Sequence, residues 1–128
     1  MNTDEVMVKN SKIEGKGVFA LRNFKKGEVI LHWDASKTLL KEVSDKMSQN
    51  DKKYISFLGG KYIIMQAPEK YVNHSCEPNT TAKNFCDIAI RDIKKEEEIT
   101  ADYAEELPPD TSLEYHCGSK KCRGVIRS

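Results

Sequence analysis

The chain has 128 residues and a mass of 14.6 kDa, and its 21 basic and 20 acidic side chains leave a net charge of +1. This length suits a single domain, residues 1–128, whose core needs no disulfide or metal for stability. Its apolar runs are four residues or fewer, far below the roughly 20 residues of a membrane-spanning helix, so we expect no membrane protein.

The first five residues are acidic and lack the apolar stretch of a secretory signal. We therefore expect an intracellular protein. Four cysteines in a reducing compartment are considered first as metal ligands and only then as disulfides.

Short apolar runs separated by turns follow one another along the chain, which is typical of a β-rich domain. Strands are predicted at residues 7–9, 17–20, 28–32, 62–65, 81–85, 88–91 and 98–101. Glycine or proline favours turns at residues 25–27, 59–60 and 77–79. The pattern ends at Pro108 and Pro109, and residues 108–128 are predicted to form a loose tail.

One segment has a helical pattern instead. Residues 37–47 place apolar side chains on one face, with charged residues between them, at Leu39, Leu40, Val43 and Met47. Ser36 stands in front of the segment, where its hydroxyl can cap a helix. We therefore predict an amphipathic helix over residues 37–47.

Acidic residues are concentrated in residues 92–114, which hold nine acidic and two basic side chains. Such a run is often a solvated face, and it can also attract a basic protein segment. The sequence leaves both interpretations open. Basic residues do not cluster with aromatic residues, so we expect no nucleic-acid binding.

The most specific segment is residues 71–79, which reads Tyr-Val-Asn-His-Ser-Cys-Glu-Pro-Asn. Asn73 and His74 place donors and acceptors side by side, and Pro78 fixes φ while lacking an N–H group. On its own the segment predicts a shaped polar loop. Two further motifs flank it, Glu-Gly-Lys-Gly-Val-Phe-Ala at residues 14–20 and Glu-Glu-Ile-Thr-Ala-Asp-Tyr at residues 97–103.

These three motifs, in this order, resemble those of the SET-domain protein lysine methyltransferases, and the resemblance extends over roughly residues 6–126. It implies a mainly β fold of small curved sheets with one or two short helices. It also implies a knot-like crossing in which the C-terminal motif passes beneath a preceding loop. Residues 73–79 and 97–103 would then be neighbours.

The same resemblance implies transfer of a methyl group from S-adenosylmethionine to a lysine side chain by direct displacement. The amine, the methyl carbon and the sulfur must lie in line, and an ammonium group with a pKa of about 10.4 in water must lose a proton. The catalytic residue implied is Tyr103, whose hydroxyl would orient the amine; a half-buried strand tyrosine is the simpler alternative. The cofactor-binding residues implied are Lys16, Gly17, Asn73, His74 and Tyr103.

The channel for the target lysine is implied to be lined by Trp33, Tyr71 and Ala101. Core packing is the simpler alternative for the single tryptophan. Many family members carry Phe or Tyr at the position of Ala101. The absence of that ring predicts room for a second or third methyl group.

A metal site is implied by the cysteines near the C-terminus. The family's post-SET element reads Cys-x-Cys-x4-Cys followed by Arg-Gly, and its cysteines bind zinc together with the cysteine of the 71–79 motif. Here Cys76, Cys117 and Cys122 match, but Tyr115 stands in the first post-SET cysteine position. Structural zinc takes four N or S ligands, so His116 is the predicted fourth ligand. A metal-free tail with reduced thiols is the alternative.

The substrate implied is a basic protein, histone-like or chromatin-associated, and the expected location is the cytoplasm, the chromatin or a nucleoid. The alternative function is a catalytically degenerate SET module that binds a protein partner without turnover. The altered post-SET cysteine is the feature that favours this alternative.

Overall fold

The computed structural model describes residues 5–128, so most of the acidic opening segment, residues 1–5, lies outside the described residues. The described chain is mainly β, which confirms the predicted fold class. Its strands are β1 (Val6–Asn10), β2 (Lys16–Ala20), β3 (Val29–His32), β4 (Thr38–Leu39), β5 (Ile55–Leu58), β6 (Lys61–Ile64), β7 (Asn73–His74), β8 (Thr80–Lys83), β9 (Cys86–Ala89), β10 (Glu98–Ala101), β11 (Ser112–Glu114) and β12 (Val125–Arg127). Its helical segments are α1 (Lys41–Asp45) and 3₁₀ turns at Asp51–Tyr54, Glu69–Tyr71 and Tyr103–Glu105. None of the helices in the described part of the chain has the length and apolar character needed to cross a membrane.

The largest sheet has the strand order β1-β2-β10-β7 and positions the motif residues. β7 joins one edge by parallel pairing with β10, with Asn73 opposite Thr100 and His74 opposite Ala101. Residues 73–79 and 97–103 are therefore neighbours, as the family resemblance implies. The buried face of this sheet contributes to the main core, which includes Val6, Val18, Ala20, Ile99 and Ala101.

The remaining strands form three small sheets with the orders β3-β9-β8, β4-β6-β5 and β11-β12. The β5–β6 turn is Gly59-Gly60, and both glycines have positive φ, 59° and 75°, as a two-residue type I′ hairpin requires. All seven predicted strands are present, although the strand predicted at residues 88–91 lies two residues earlier, at Cys86–Ala89. The sequence prediction missed β4, β5, β7, β11 and β12.

The helix predicted over residues 37–47 is wrong in its extent. Only α1 is α-helical, because β4 occupies part of the segment and pairs with β6. Leu40 is 70% exposed and Val43 is 51% exposed, so the apolar face seen in the sequence does not pack against the core. Ser36 does not cap the helix, since its hydroxyl donates a hydrogen bond to the Asp34 carboxylate.

The loose tail predicted for residues 108–128 is also wrong. β11 and β12 pair with each other there, and the Ser128 hydroxyl donates to the Pro108 carbonyl at 2.7 Å. The tail adds a second core cluster, and residues of the 71–79 motif and of the 103–105 turn pack against it. Its buried members are Leu107, Leu113, Tyr115, Cys117 and Ile126.

Candidate active site

Two cavities are lined by Tyr103. The outer cavity has a volume of about 470 Å³, which is in the range of small-molecule sites. Its lining residues are Glu14, Gly15, Lys16, Lys53, Tyr54, Lys70, Tyr71, Asn73 and Tyr103. The motifs at residues 14–20, 71–79 and 97–103 therefore each contribute to one wall.

The inner cavity is much smaller, about 20 Å³, which is room for about one water molecule. Its lining residues are Lys53, Ile55, Ser56, Met65, Glu69, Lys70, Val72, Asp87, Ala101, Tyr103, Glu106 and Leu107. Three residues, Lys53, Lys70 and Tyr103, line both cavities. Tyr103 therefore lies at the junction of a ligand-sized space and a narrow polar space.

The Tyr103 side chain is fixed at both ends. Its hydroxyl donates to the Val72 carbonyl at 2.6 Å, and its backbone N–H donates to Nδ1 of His74 at 3.0 Å. Burial raises the pKa of the Tyr103 hydroxyl well above its usual range, and the nearby Tyr115 and Glu106 raise it further. The group is therefore a neutral phenol at neutral pH, with oxygen lone pairs that can still accept a hydrogen bond.

His74 holds Tyr103 in place. Its ring is 1% exposed, and burial lowers the pKa of His74 to about 4, so the ring is neutral at pH 7. Because Nδ1 accepts the Tyr103 N–H, Nε2 carries the ring proton and faces Cys76 Sγ at 3.3 Å. His74 is absent from the lining of the outer cavity.

Asn73 connects the motif at residues 14–20 to the rest of the site. Its side-chain NH₂ lies 3.0 Å from each of three acceptors, the carbonyls of Glu14 and Lys16 and the Glu98 carboxylate. Its side-chain oxygen accepts from the Tyr115 hydroxyl at 3.1 Å. The side chain is thus engaged within the protein and fixes the loop that lines the outer cavity.

Gly17 does not line the outer cavity, whereas its neighbour Lys16 does. A Cβ atom on Gly17 would collide with the Glu98 carboxylate. That carboxylate also accepts from the Ser11 hydroxyl at 2.8 Å. The glycine therefore makes room for a carboxylate of the third motif that accepts hydrogen bonds from Ser11 and Asn73.

The three residues assigned to the lysine channel lie in different places. Ala101 lines the inner cavity and Tyr71 lines the outer one. Trp33 lines neither; it packs with Ile63 and Met65 and donates its ring N–H to the Asp87 carboxylate at 3.0 Å. Trp33 thus positions a residue of the inner cavity from behind.

Sequence reasoning missed a group of buried carboxyl residues, Glu69, Asp87 and Glu106, which are 4%, 2% and 9% exposed. Burial raises the pKa of Asp87 to about 7, and the charge of Glu69 adds to this rise. Burial also raises the pKa of Glu106 well above its usual range, and the charge of Asp87 raises it further. The available signal was Asp87 itself, an acidic residue between the strands predicted at residues 81–85 and 88–91.

The raised pKa of Asp87 predicts a pH-dependent stability. A carboxyl group with a higher pKa in the folded state binds more protons there, so its contribution to the free energy of unfolding falls as pH rises. For Asp87 this fall extends from about pH 4 to about pH 7. We expect the free energy of unfolding of Asp87→Asn, measured by urea unfolding, to rise relative to that of the wild type by up to about 4 kcal/mol between pH 4 and pH 8. An equal stability difference at both pH values would contradict this prediction, and exposed Asp51→Asn is the control.

Tyr115, which stands in the first post-SET cysteine position, packs against the site. Its ring centre lies 5.3 Å from that of His74 and 5.8 Å from that of Tyr103. Together with its bond to Asn73, this contact makes the tail part of the wall behind the site. The sequence signal for Tyr115 was an aromatic residue close to the cysteines of the tail.

The cysteines of the proposed metal site come together around Cys117. Its thiol contacts the thiols of both Cys76 and Cys122, and the ligand atoms of His74, Cys76 and Cys117 lie within 4.8 Å of one another. Backbone hydrogen bonds from Cys117 and Gly124 lower the pKa of the Cys122 thiol to about 7, which favours the thiolate that binds metals.

Among the described residues, His116 is not in the group of close ligand atoms that includes Cys76 and Cys117. Its side chain is 77% exposed and lies 3.8 Å from the Glu114 carboxylate. His74 is nearer, but its Nε2 carries a proton as long as Nδ1 accepts the Tyr103 N–H. The three thiols are therefore ligands of the type that structural zinc prefers. The fourth ligand stays a prediction.

The acidic residues of the segment 92–114 do not form one open surface. Several are used internally: Glu97 pairs with Arg91 at 2.7 Å, Asp102 pairs with Arg123 at 2.7 Å, and Glu106 is buried. The exposed acidic side chains in the segment are Asp92, Glu96, Glu105, Asp110 and Glu114. Any attraction of a basic segment would depend on these residues.

The comparisons with known proteins agree with the arrangement of the motifs. A family model described as the SET domain matches residues 15–104. Histone-lysine N-methyltransferase 2D of Homo sapiens is 27% identical over 138 residues, which cover 94% of this chain and 2% of that protein. An H3 lysine-4 specific histone-lysine N-methyltransferase of Emericella nidulans is 29% identical over 139 residues, covering 91% of this chain and 11% of that protein. Histone-lysine N-methyltransferase trithorax of Drosophila virilis is 29% identical over 144 residues, which cover 96% of this chain and 4% of that protein. The chain thus spans only a small part of these relatives.

Proposed function

Because this chain belongs to the SET-domain family, we propose that it is a protein-lysine N-methyltransferase that uses S-adenosylmethionine and acts on a basic, histone-like protein. The observation that carries this proposal is the position of Tyr103 between a ligand-sized cavity and a narrow polar one. A methyl donor and a lysine can approach such a junction from opposite sides. The names of the relatives support lysine as the acceptor and histones as the class of substrate.

The outer cavity would hold the cofactor. S-adenosylmethionine, when bound, supplies an electrophilic methyl group on a positively charged sulfur. The backbone of residues 14–16, fixed by Asn73, would form one wall, and Tyr71 would form another. Lys16, Asn73 and Tyr103 remain the proposed contacts, while Gly17 and His74 would act by fixing Glu98 and Tyr103.

The inner cavity would receive the lysine amine. The narrow, desolvating space favours the neutral amine over the ammonium ion. The Tyr103 hydroxyl, fixed on the Val72 carbonyl, would orient the amine toward the junction. Holding the reacting atoms in line lowers the activation free energy, by on the order of 7 kcal/mol when the alignment is good.

The test begins with calorimetry of S-adenosylmethionine binding and continues with methyl transfer to mixed histones, followed by mass spectrometry. We expect binding and methylated lysine. Binding of histones without methylation would instead support the alternative of a degenerate module, and the substitution of Tyr115 for a cysteine keeps that alternative open. A chromatin-associated location would follow from the proposed substrate.

We also propose that Cys76, Cys117 and Cys122 hold a structural zinc ion. Purified protein is expected to contain about one zinc ion per chain, and Cys117→Ser is expected to lose it, because three thiols supply most of the ligands. The readouts are elemental analysis and the thermal unfolding midpoint. Cys86→Ser is the matched control, since Cys86 lies on β9 near His32. Zinc content unchanged in Cys117→Ser would contradict the proposed site.

A further inference from the structure

Glu106 is a buried acidic residue beside the inner cavity. Its side chain is 9% exposed and lines the inner cavity, and no described residue donates a hydrogen bond to its carboxyl oxygens. Its backbone is fixed, because its N–H donates to the Tyr103 carbonyl at 3.0 Å and its carbonyl accepts from the Phe57 N–H at 2.6 Å. A buried acid held this firmly is costly unless something binds it.

No cation of the described chain neutralises this carboxyl group. Two lysines line the inner cavity, but the Lys53 ammonium lies 3.7 Å from the Glu14 carboxylate and the Lys70 ammonium lies over the Tyr71 ring, 5.2 Å from its centre. Two other acidic residues, Glu69 and Asp87, line the cavity, and the charges of Asp87, Glu105 and Asp102 raise the pKa of Glu106. The cavity is therefore suited to a cation that comes from outside.

We propose that Glu106 binds the ammonium group of the target lysine and accepts its proton before methyl transfer. This inference rests on the proposed function. Binding of the ammonium group displaces the proton of Glu106 to solvent, and a proton then passes from the lysine Nζ to the resulting carboxylate, which leaves a neutral amine and a carboxylic acid. The amine lone pair then forms the new C–N bond while the C–S bond breaks and its electron pair stays on sulfur, and Glu106 keeps its proton as the products leave.

Burial lowers the free-energy cost of this proton transfer. In water a lysine and a glutamic acid differ in pKa by about 6 units, which strongly favours the charged pair. Burial raises the pKa of Glu106, and the same desolvation lowers the pKa of a lysine inside the cavity. The two pKa values approach each other, which is the condition under which a general base is most effective.

A purely structural role for Glu106 predicts different behaviour. Glu106 and Asp87 could share one proton as a buried acid pair, since the charge of Asp87 raises the pKa of Glu106. Glu106→Gln keeps the shape of the side chain and removes only its ability to take the proton. A structural defect would lower the rate by the same factor at every pH, whereas loss of a base has a pH-dependent effect.

The test is the pH dependence of methyl transfer to a lysine peptide from histone H3, measured for the wild type, Glu106→Gln and Glu105→Gln. Glu105 is exposed and adjacent in sequence, and because its charge raises the pKa of Glu106, Glu96→Gln serves as a second control at an exposed residue whose charge is not among those causes. We expect Glu106→Gln to lower the rate of methyl transfer about 100-fold at pH 7.5. The decrease should become smaller toward pH 10, where the lysine ammonium loses its proton to solvent. A loss that is constant with pH, or no loss, would overturn the inference.

Calorimetry provides a readout that does not need turnover. The lysine peptide and a norleucine peptide are titrated into protein with S-adenosylhomocysteine, in buffers of different ionisation enthalpy, at pH 7. We expect the lysine peptide to release protons from wild-type Glu106 and to bind about tenfold more weakly to Glu106→Gln, with no change for norleucine. Equal proton release and affinity in both proteins would overturn the inference. A wild type that binds the lysine peptide without methylating it would contradict the proposed function alone.

Discussion

Tyr103→Phe is expected to reduce methyl transfer by at least about 100-fold, which is the usual effect of removing one fixed hydrogen-bond donor from a reacting centre. The change removes the hydroxyl that donates to Val72 and keeps the ring that packs against His74, 5.4 Å between ring centres. Because the outer cavity retains its shape, we expect the affinity for S-adenosylmethionine to change by less than about threefold.

Single-turnover kinetics and calorimetry on the same protein samples measure these two quantities separately. Tyr62→Phe is the matched control, since Tyr62 lies on β6, packs against Phe57 and lines neither cavity. A rate within twofold of the wild type would remove Tyr103 from the reaction. Loss of cofactor binding would assign it to the outer cavity instead.

The motif at residues 71–79 could be found in the sequence, but the reason for its composition is visible only in the parallel pairing of β7 with β10. Asn79 accepts from the Thr100 N–H at 2.8 Å and donates to the Glu98 carbonyl at 2.8 Å. The polar side chains of this segment therefore satisfy backbone groups of the third motif. A loop without such a partner strand would not need them.

The residues around the inner cavity could not be predicted, because they come from distant parts of the chain. Glu69 follows a proline turn, Asp87 lies on β9 and Glu106 ends the 103–105 turn. Their common feature is burial, and a single sequence does not reveal which acidic residues are buried. The segment 92–114 shows the same difficulty, since the buried Glu106 and the paired Asp102 and Glu97 look like surface charge in the sequence.

The errors over residues 37–47 and 108–128 have a common cause. In both segments apolar residues were judged by their spacing, whereas pairing with a distant strand or packing against the motif decides the structure. Thr38–Leu39 joins β6, and Tyr115 and Cys117 pack beside His74 and Cys76. Short strands of two or three residues carry almost no periodic signal.

Ala101→Tyr is expected to change the product of the reaction from dimethyl- or trimethyl-lysine to monomethyl-lysine. Ala101 is 2% exposed and lines the inner cavity, where Tyr103 is the only aromatic residue of the described lining. Because no ring stands at position 101, we expect a methylated amine to be able to rotate beside Ala101 and present its lone pair again. A tyrosine ring at position 101 would occupy this space, because protein interiors leave few voids.

We expect the second methylation to slow by at least about tenfold relative to the first, since one methyl group in a tight pocket is worth 10-fold or more in rate. Mass spectrometry of a histone H3 peptide over time measures both steps. Ala101→Val is the second variant, because a smaller side chain narrows the cavity with less overpacking, and it should slow the third methylation first. If the wild type forms only monomethyl-lysine, another group fills the space beside Ala101, and the inner cavity does not set the degree of methylation.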